Sequence, residues 1–185
     1  MKSRKSFLRK KALIEREKKY LSARKFDFDL IFKLIKKHFD KKKITIAGYY
    51  PSNYEVNILK FLEIASKKNF KIALPVIKSS NDMNFKLWNY EEPLSINKFG
   101  ILEPQNSNRE TIPDLILVPL VAFDNHLNRI GYGKGFYDKK LKKIIKIKKN
   151  IICLGVAYAF QNYNTIPAEK HDFKLDYIFT EQGII

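Results

Sequence analysis

The sequence predicts a single three-layer α/β domain over residues 1–185, a mixed and mostly parallel sheet flanked by helices in a Rossmann-like arrangement. Three observations predict it. Strand-like and helix-like segments alternate along nearly the whole chain. Two of the strand segments, "DLILVPLVAF" and "IICLGVAY", are near-continuous apolar runs, the pattern of strands buried on both faces. And 185 residues with 45% hydrophobic content are enough to bury one substantial core without a second domain.

Taken in order, residues 2–19 read as a basic helix. "FDFDLIFKLIKKHF" sets Leu30, Ile31, Leu34, Ile35 and His38 at helical spacing, so His38 is expected on the apolar face. "KITIAGYY" alternates as a strand that Pro51 stops, and Asn53 is placed to cap a helix from about Tyr54 to Lys68. "FKIALPVI" and "MNFKLW" are the next strands, with Trp88 read as core. The Pro- and Asn-punctuated stretch through "FGILEPQNSN" is expected to be mostly loop. A helix from about Phe136 to Lys149 separates the two apolar strands, and "LDYIFT" is a short last strand. In such a fold, ligands gather beyond the carboxyl ends of the central strands.

The formal charge of +17 points to an anionic partner, yet 30 of the 36 basic residues are lysine and only six are arginine. A protein selected to grip phosphates by bidentate contacts favours arginine, and codon bias toward A and T would supply the lysine without any function. The positions of the few arginines therefore carry more information than the total. The lone Cys153, inside an apolar run, reads as a buried core residue. The first twenty residues carry charges throughout with no apolar stretch, and no segment approaches membrane-spanning length. A soluble, cytoplasmic protein without a membrane partner is expected.

The most informative stretch is "RIGYGKGFYDKKL", residues 129–141. It follows the strand "DLILVPL" and its loop, and it opens a helix. Glycines 131, 133 and 135 allow backbone N–H groups to turn toward an anion, and the helix N-terminus adds partial positive charge. Arg129 and Lys134 bracket the turn with two cations suited to a triphosphate. The spacing is neither a Walker loop nor a dinucleotide fingerprint. Asp138 has two readings. It is an ordinary first-turn carboxylate favoured by the helix dipole, or a magnesium ligand, since a carboxylate beside phosphates needs a hard cation between them.

The run "DLILVPLVAFDNHLNRIGYGKGFYDKKL" resembles the signature of the 5-formyltetrahydrofolate cyclo-ligase (5,10-methenyltetrahydrofolate synthetase) family. Five further segments agree in order: "KSFLRK", "YYPSNYEV", "FGILEP", "GVAYAFQ" and "IPAEKHDFKLDYIFTE". Leu120 and Leu127 stand where the family usually has small residues or glycine, so the turn before Arg129 is expected to differ, with Asn125 or Asn128 taking a positive φ. Phe136 stands for a more usual tyrosine, and Lys134 for a frequent glycine.

The resemblance implies a ligase that forms a carbon–nitrogen bond. ATP, as co-substrate, phosphorylates the formyl oxygen of 5-formyltetrahydrofolate, and the tenth nitrogen of the folate then attacks the formyl carbon. ADP and phosphate are released. No nucleophilic side chain is needed, in agreement with the absence of a Ser-His-Asp or Cys-His constellation in which His38 or His126 would take part. By the same resemblance, Lys5 and Arg9, four apart on one side of the first helix, contact ATP together with Arg129, Gly131, Tyr132, Gly133, Lys134, Gly135, Phe136 and Tyr137. Arg129 and Lys134 act on the transferring group, and Asp138 and Asp172 bind magnesium. Glu55 accepts the amino-pyrimidine edge of the pterin, and Tyr50, Tyr132 and Tyr137 supply aromatic walls. The implied partners are small molecules, ATP and a formylfolate that is polyglutamylated in cells. No specific nucleic acid is implied, and the chain is expected to be a monomer or weak dimer. Two other readings stay open: a nucleic-acid module whose basic surface is the site, and a retained fold that binds a phosphorylated ligand without turnover.

Overall fold

The computed structural model describes residues 2–22, 25–40, 43–79, 82–105 and 108–185. The first helix, α1 (Lys2–Lys19), contains no glycine or proline and is built from strong helix formers. It leads through a 3₁₀ turn toward α2 (Asp29–His38), which buries Ile31, Leu34 and Ile35. Strand β1 (Thr45–Ala47) follows, then α3 (Leu59–Lys67), β2 (Lys71–Ser79) and β3 (Asp82–Leu87). Three short strands, β4 (Leu94–Ile96), β5 (Leu102–Pro104) and β6 (Glu110–Thr111), lead to β7 (Leu115–Pro119), β8 (Ala122–Phe123) and β9 (Arg129–Ile130). The chain ends with α4 (Phe136–Ile147), β10 (Ile152–Val156), β11 (Tyr177–Thr180) and β12 (Gly183–Ile184).

Eight strands form one sheet in the order β12-β11-β10-β7-β1-β2-β3-β6. The five central strands are parallel, while β12, β3 and β6 pair antiparallel at the edges. Each central strand sends alternate side chains to opposite layers. Ile46, Leu115, Leu117, Leu154 and Val156 meet α2 and α3 on one face. Ala47, Ile116, Val118 and Cys153 meet Leu141 and Ile144 of α4 on the other. The mixed, mostly parallel three-layer α/β arrangement expected from the alternation is therefore present. Cys153 is buried, and desolvation pushes its thiol up to about 12. Trp88 is core as expected, its indole N–H donating to the Glu92 carbonyl. No helix among the described residues is long and apolar enough to cross a membrane.

Several boundaries differ from expectation, each for a local reason. Asn53 and Tyr54 take left-handed φ values of 46° and 62°, which no helix accommodates. The helix begins instead at Leu59, whose N–H is accepted by the Asn57 side chain. The stretch around Phe99 is an antiparallel hairpin of β4 and β5 rather than mostly loop; its Asn106 and Ser107 lie outside the described residues. His38, expected on the apolar face, is exposed at the end of α2, with Nε2 3.1 Å from the Tyr177 hydroxyl. The positive φ in the β8–β9 turn falls on Leu127, at 64°, and not on Asn125 or Asn128. The buried Asp124 carboxylate accepts the N–H groups of His126 and Asn128, which leaves position 127 as the corner, and Leu127 packs its side chain on the α4-side core. A further strand, β12, follows the expected last one.

Gly155 in β10 is a test of how tightly the layers meet. A Cβ there would lie 2.7 Å from Leu175 Cδ1 and 2.9 Å from Leu120 Cδ2, both of buried side chains with no open space to enter. Gly155→Ala is expected to destabilise the fold by about 1–3 kcal/mol through overpacking, read as a lower urea midpoint at unchanged slope; an unchanged midpoint would mean the leucines repack freely.

Candidate functional site

The carboxyl ends of three adjacent parallel strands deliver the site. Beyond β1 the chain runs through Gly48, Tyr49, Tyr50 and Pro51 to Glu55. Beyond β7 it forms the β8–β9 hairpin and the glycine segment, and beyond β10 it forms the turn Tyr158–Gln161. The Gln161 side-chain amide joins two of these, donating to the Val121 carbonyl at 2.7 Å. The Tyr49 hydroxyl donates to the Val56 carbonyl at 2.9 Å and closes the loop that carries Glu55.

The glycine segment is stretched between two ends of one ion pair. Arg129, whose side chain is only 4% exposed, donates from Nη2 to Asp138 Oδ1 at 2.7 Å. The same oxygen accepts the Phe173 N–H at 3.1 Å, whereas Asp138 Oδ2 has no protein donor among the described residues. Gly133 has φ 95° and Gly135, at the start of α4, has φ 69°; only glycine enters these regions without strain. No side chain caps α4, so its first N–H groups are open to an anion.

Helix α1 lies across this segment. Arg9 Nε donates to the Gly131 carbonyl at 2.7 Å, and its guanidinium stands 3.2 Å from where a Cβ on Gly133 would be. Its terminal nitrogens have no protein partner among the described residues. Lys5 is engaged differently, with Nζ 2.5 Å from Asp172 Oδ2, an oxygen that also accepts the Glu169 N–H. Burial opposes ionisation of Asp172, but Lys5 and that N–H outweigh it and hold the carboxyl below its usual range. Lys134 is exposed and free of any partner among the described residues.

On the other side of the segment, Tyr132 donates to Glu55 Oε1 at 2.8 Å, and Ser52 N–H donates to Oε2 at 2.8 Å. Burial raises the Glu55 carboxyl, against the opposing pull of these donors and of the Arg16 charge. Tyr50 is half-buried with no hydrogen bond to a described residue. Tyr137 turns inward, its ring edge-on to Phe85 and 6.0 Å from the Arg129 guanidinium carbon. Its buried hydroxyl has no partner, and burial pushes its ionisation far upward. Phe136 meets Phe99 from the tip of the β4–β5 hairpin, with ring centroids 6.2 Å apart.

Thirteen of the fourteen residues picked out by sequence therefore sit in one connected region around the segment, with Tyr50 on the β1 loop beside it. Asp138 and Asp172 lie close through Phe173, but the carboxylate and imidazole cluster that could hold a metal is Glu169, His171 and Asp172, without Asp138. Arg16 was missed. It is buried to 1% and bonds the Leu120 carbonyl and the Tyr132 hydroxyl. Positions 5, 9, 12 and 16 share one helical face, and that spacing was the available signal.

An α/β sheet that carries cations and an uncapped helix start beyond the carboxyl ends of its central strands is of the doubly wound class, with its candidate site where that class binds ligands. The family model for 5-formyltetrahydrofolate cyclo-ligases matches residues 1–181, and the chain belongs to that family, an enzyme of the ligase class. Similar curated proteins include a probable 5-formyltetrahydrofolate cyclo-ligase of Schizosaccharomyces pombe, 32% identical with 71% of each chain covered. The 5-formyltetrahydrofolate cyclo-ligase of Haemophilus influenzae is also 32% identical, with 70% of this chain and 72% of that one covered. The solved structure of the Aquifex aeolicus 5,10-methenyltetrahydrofolate synthetase superposes with a TM-score of 0.74 at 28% identity, covering 97% of this chain and 91% of the other.

Because Asp138 is the only anionic partner of the buried Arg129 among the described residues, Asp138→Asn is expected to cost about 3–5 kcal/mol of stability, as for a buried ion pair deprived of one charge. Urea unfolding checks it, and a variant as stable as the parent would assign the carboxylate no structural share.

Proposed function

We propose that the chain converts 5-formyltetrahydrofolate to 5,10-methenyltetrahydrofolate with ATP as co-substrate, releasing ADP and phosphate through a phosphorylated formyl intermediate. Membership of the family supports the activity. The observation that supports ATP is the uncapped start of α4 beside two cations without a partner among the described residues, Lys134 and the outer nitrogens of Arg9. Open N–H groups and free guanidinium and ammonium charges are what a triphosphate requires.

The formyl oxygen is a poor leaving group until it carries a phosphoryl group. Its attack on the γ-phosphorus breaks the bond to ADP, and the tenth nitrogen of the folate then bonds to the formyl carbon and gives up its proton to solvent while phosphate leaves with the oxygen. This chemistry asks the protein to hold two ligands in line and to neutralise charge in transit. Gly131 to Tyr137 cradle the phosphates, Arg9 holds their outer edge, and Lys134 meets the transferring group. Arg129 acts from beneath, its Nε being buried without a partner. Lys5 reaches ATP by releasing Asp172. Glu55 accepts the pterin edge: Oε1 keeps a lone pair beside the Tyr132 hydroxyl, and Oε2, which accepts the Ser52 N–H, is shared with the Ser52 hydroxyl only at 3.4 Å, a contact an N–H of the ligand replaces. Tyr132, 38% exposed, and Tyr50 flank the folate ring, and Tyr137 supports the wall from behind.

The donor set fits magnesium, a hard cation that takes oxygen ligands. Asp138 Oδ2 and Asp172 Oδ1 are carboxylate oxygens without protein donors among the described residues. Bound there, magnesium would supply neutralising charge to the phosphates. A soluble cytoplasmic enzyme acting on small molecules, without specific nucleic acid partners, completes the reading; as a single domain it works as a monomer or weak dimer.

The decisive experiment is a spectrophotometric assay for the conjugated methenyl product with magnesium-ATP and 5-formyltetrahydrofolate, in which folded protein without an ATP-dependent signal would end this reading. Lys134→Ala is expected to lower turnover by about 10²–10³ while changing ATP affinity far less, because a preorganised cation acts mainly on transition-state charge. A silent variant would confine the cradle to the backbone, Arg9 and Arg129.

A further inference from the structure

Arg16 is a fully buried cation that the phosphate and folate assignments leave unused. Its guanidinium spends Nη1 on the Leu120 carbonyl at 3.2 Å and Nη2 on the Tyr132 hydroxyl at 2.5 Å, and Nε has no partner. Beyond the Leu120 carbonyl bond, its one other hydrogen bond among the described residues goes to Tyr132. The guanidinium carbon also lies 5.5 Å from the centroid of the Tyr132 ring, a cation–π distance. The hydroxyl that accepts from Arg16 donates in turn to Glu55 Oε1 at 2.8 Å. A cation, a hydroxyl and a carboxylate therefore form one file, with its members on α1, in the glycine segment and in the loop after β1.

The direction of hydrogen bonding within the file is set by chemistry. Guanidinium only donates, so the Tyr132 oxygen must accept from it, and the hydroxyl proton is left for Glu55. That proton finds an acceptor on either form of Glu55 but is held best by the ionised one. The other titratable groups facing Glu55 are the hydroxyls of Tyr49, Tyr137 and Tyr158, all neutral and all raised by burial. Arg16 is the cation that acts on Glu55 from within the fold.

We propose that Arg16 is a positioning residue that acts through the Tyr132 hydroxyl to hold Glu55 as an oriented carboxylate. It thereby locks the folate-side carboxylate to the segment that receives the phosphates. The functional part of this rests on the reading of Glu55 as the pterin acceptor, since an ionised carboxylate can accept an N–H on each of its two oxygens and a protonated one, whose hydroxyl oxygen donates, cannot. It also makes Tyr132 a mechanical link, because a shift of the glycine segment around one ligand moves the hydroxyl that orients the carboxylate for the other.

The test reads Glu55 directly, without any ligand. NMR of isotope-labelled glutamate carboxyl groups, with Glu55 identified by its loss in Glu55→Gln, follows its titration in the parent, Arg16→Met, Arg16→Lys and Tyr132→Phe. Loss of the positive charge in Arg16→Met is expected to move the Glu55 midpoint up by about one pH unit, in the range set by a nearby opposite charge. Arg16→Lys keeps the charge and is expected to restore most of the shift, and Tyr132→Phe, which removes the donor alone, to move it in the same direction. Calorimetry with 5-formyltetrahydrofolate on the acid side of the parent midpoint is expected to give about tenfold weaker binding for Arg16→Met, in step with the ionised fraction. A Glu55 midpoint unmoved in both Arg16→Met and Tyr132→Phe overturns the inference and leaves Arg16 as a tie to Leu120. Should Arg16→Met fail to fold, Tyr132→Phe and Arg16→Lys decide alone. A midpoint that moves while formylfolate affinity stays constant upholds the relay and overturns instead the assignment of Glu55 to the pterin.

Discussion

The pair between Arg129 and Asp138 is the constraint on which the rest of the site hangs. A guanidinium that is almost fully buried is costly without an anion in contact, and for Arg129 the chain supplies that anion nine residues later, in the first turn of α4. The bond closes the glycine segment into a loop between two rigid elements, β9 and α4. The left-handed conformations of Gly133 and Gly135 follow, since the chain must turn sharply within that short closure. Asp138 also accepts the Phe173 N–H, so the same carboxylate draws the C-terminal segment alongside. Asp172 then arrives within reach of Lys5, and α1 is drawn over the site.

Asp124 plays the corresponding part at the other end of the hairpin. It is fully buried and accepts hydrogen bonds from the backbone of His126, Asn128 and Ile166 and from the Asn128 amide. Burial alone would favour its neutral form, but this set of donors outweighs it and holds the carboxyl below its usual range. Together the two aspartates divide the charged groups into those spent on structure and those left over. Arg129, Arg16 and Asp124 are buried and bonded within the protein. Lys134, the outer nitrogens of Arg9 and Asp138 Oδ2 have no protein partner among the described residues. A site built this way has its partner-free charges positioned by buried charges that are bonded within the protein, the support that preorganised sites need.

The net charge of +17 belongs mostly to the exposed surface and says little about the site. Many of the lysines lie on the solvent side of α1, α2 and α4. What distinguishes the site is placement of the arginines: three of the six, at 9, 16 and 129, converge on the glycine segment. Their planar, always-charged heads suit fixed geometry at a partly buried location better than lysine does.

By itself the sequence determined the layering of the fold and the location of the candidate site. The apolar runs of β7 and β10 require cover on both faces, the helical periodicities name the covering elements, and alternate glycines entering a helix are the pattern expected of an anion-binding turn. These are properties of neighbouring residues, which is why they are legible along the chain. The tertiary structure alone decided the start of α3, the hairpin whose Phe99 meets Phe136, the left-handed Leu127, and the use of Asp138 as partner to Arg129. It alone brought Arg16 to Tyr132 and Tyr132 to Glu55, residues 116 and 77 positions apart in the chain. Side-chain pairings at such separations have no period to betray them. They are set by how three strand ends are juxtaposed in the sheet, and by the cost of leaving a buried charge without its partner.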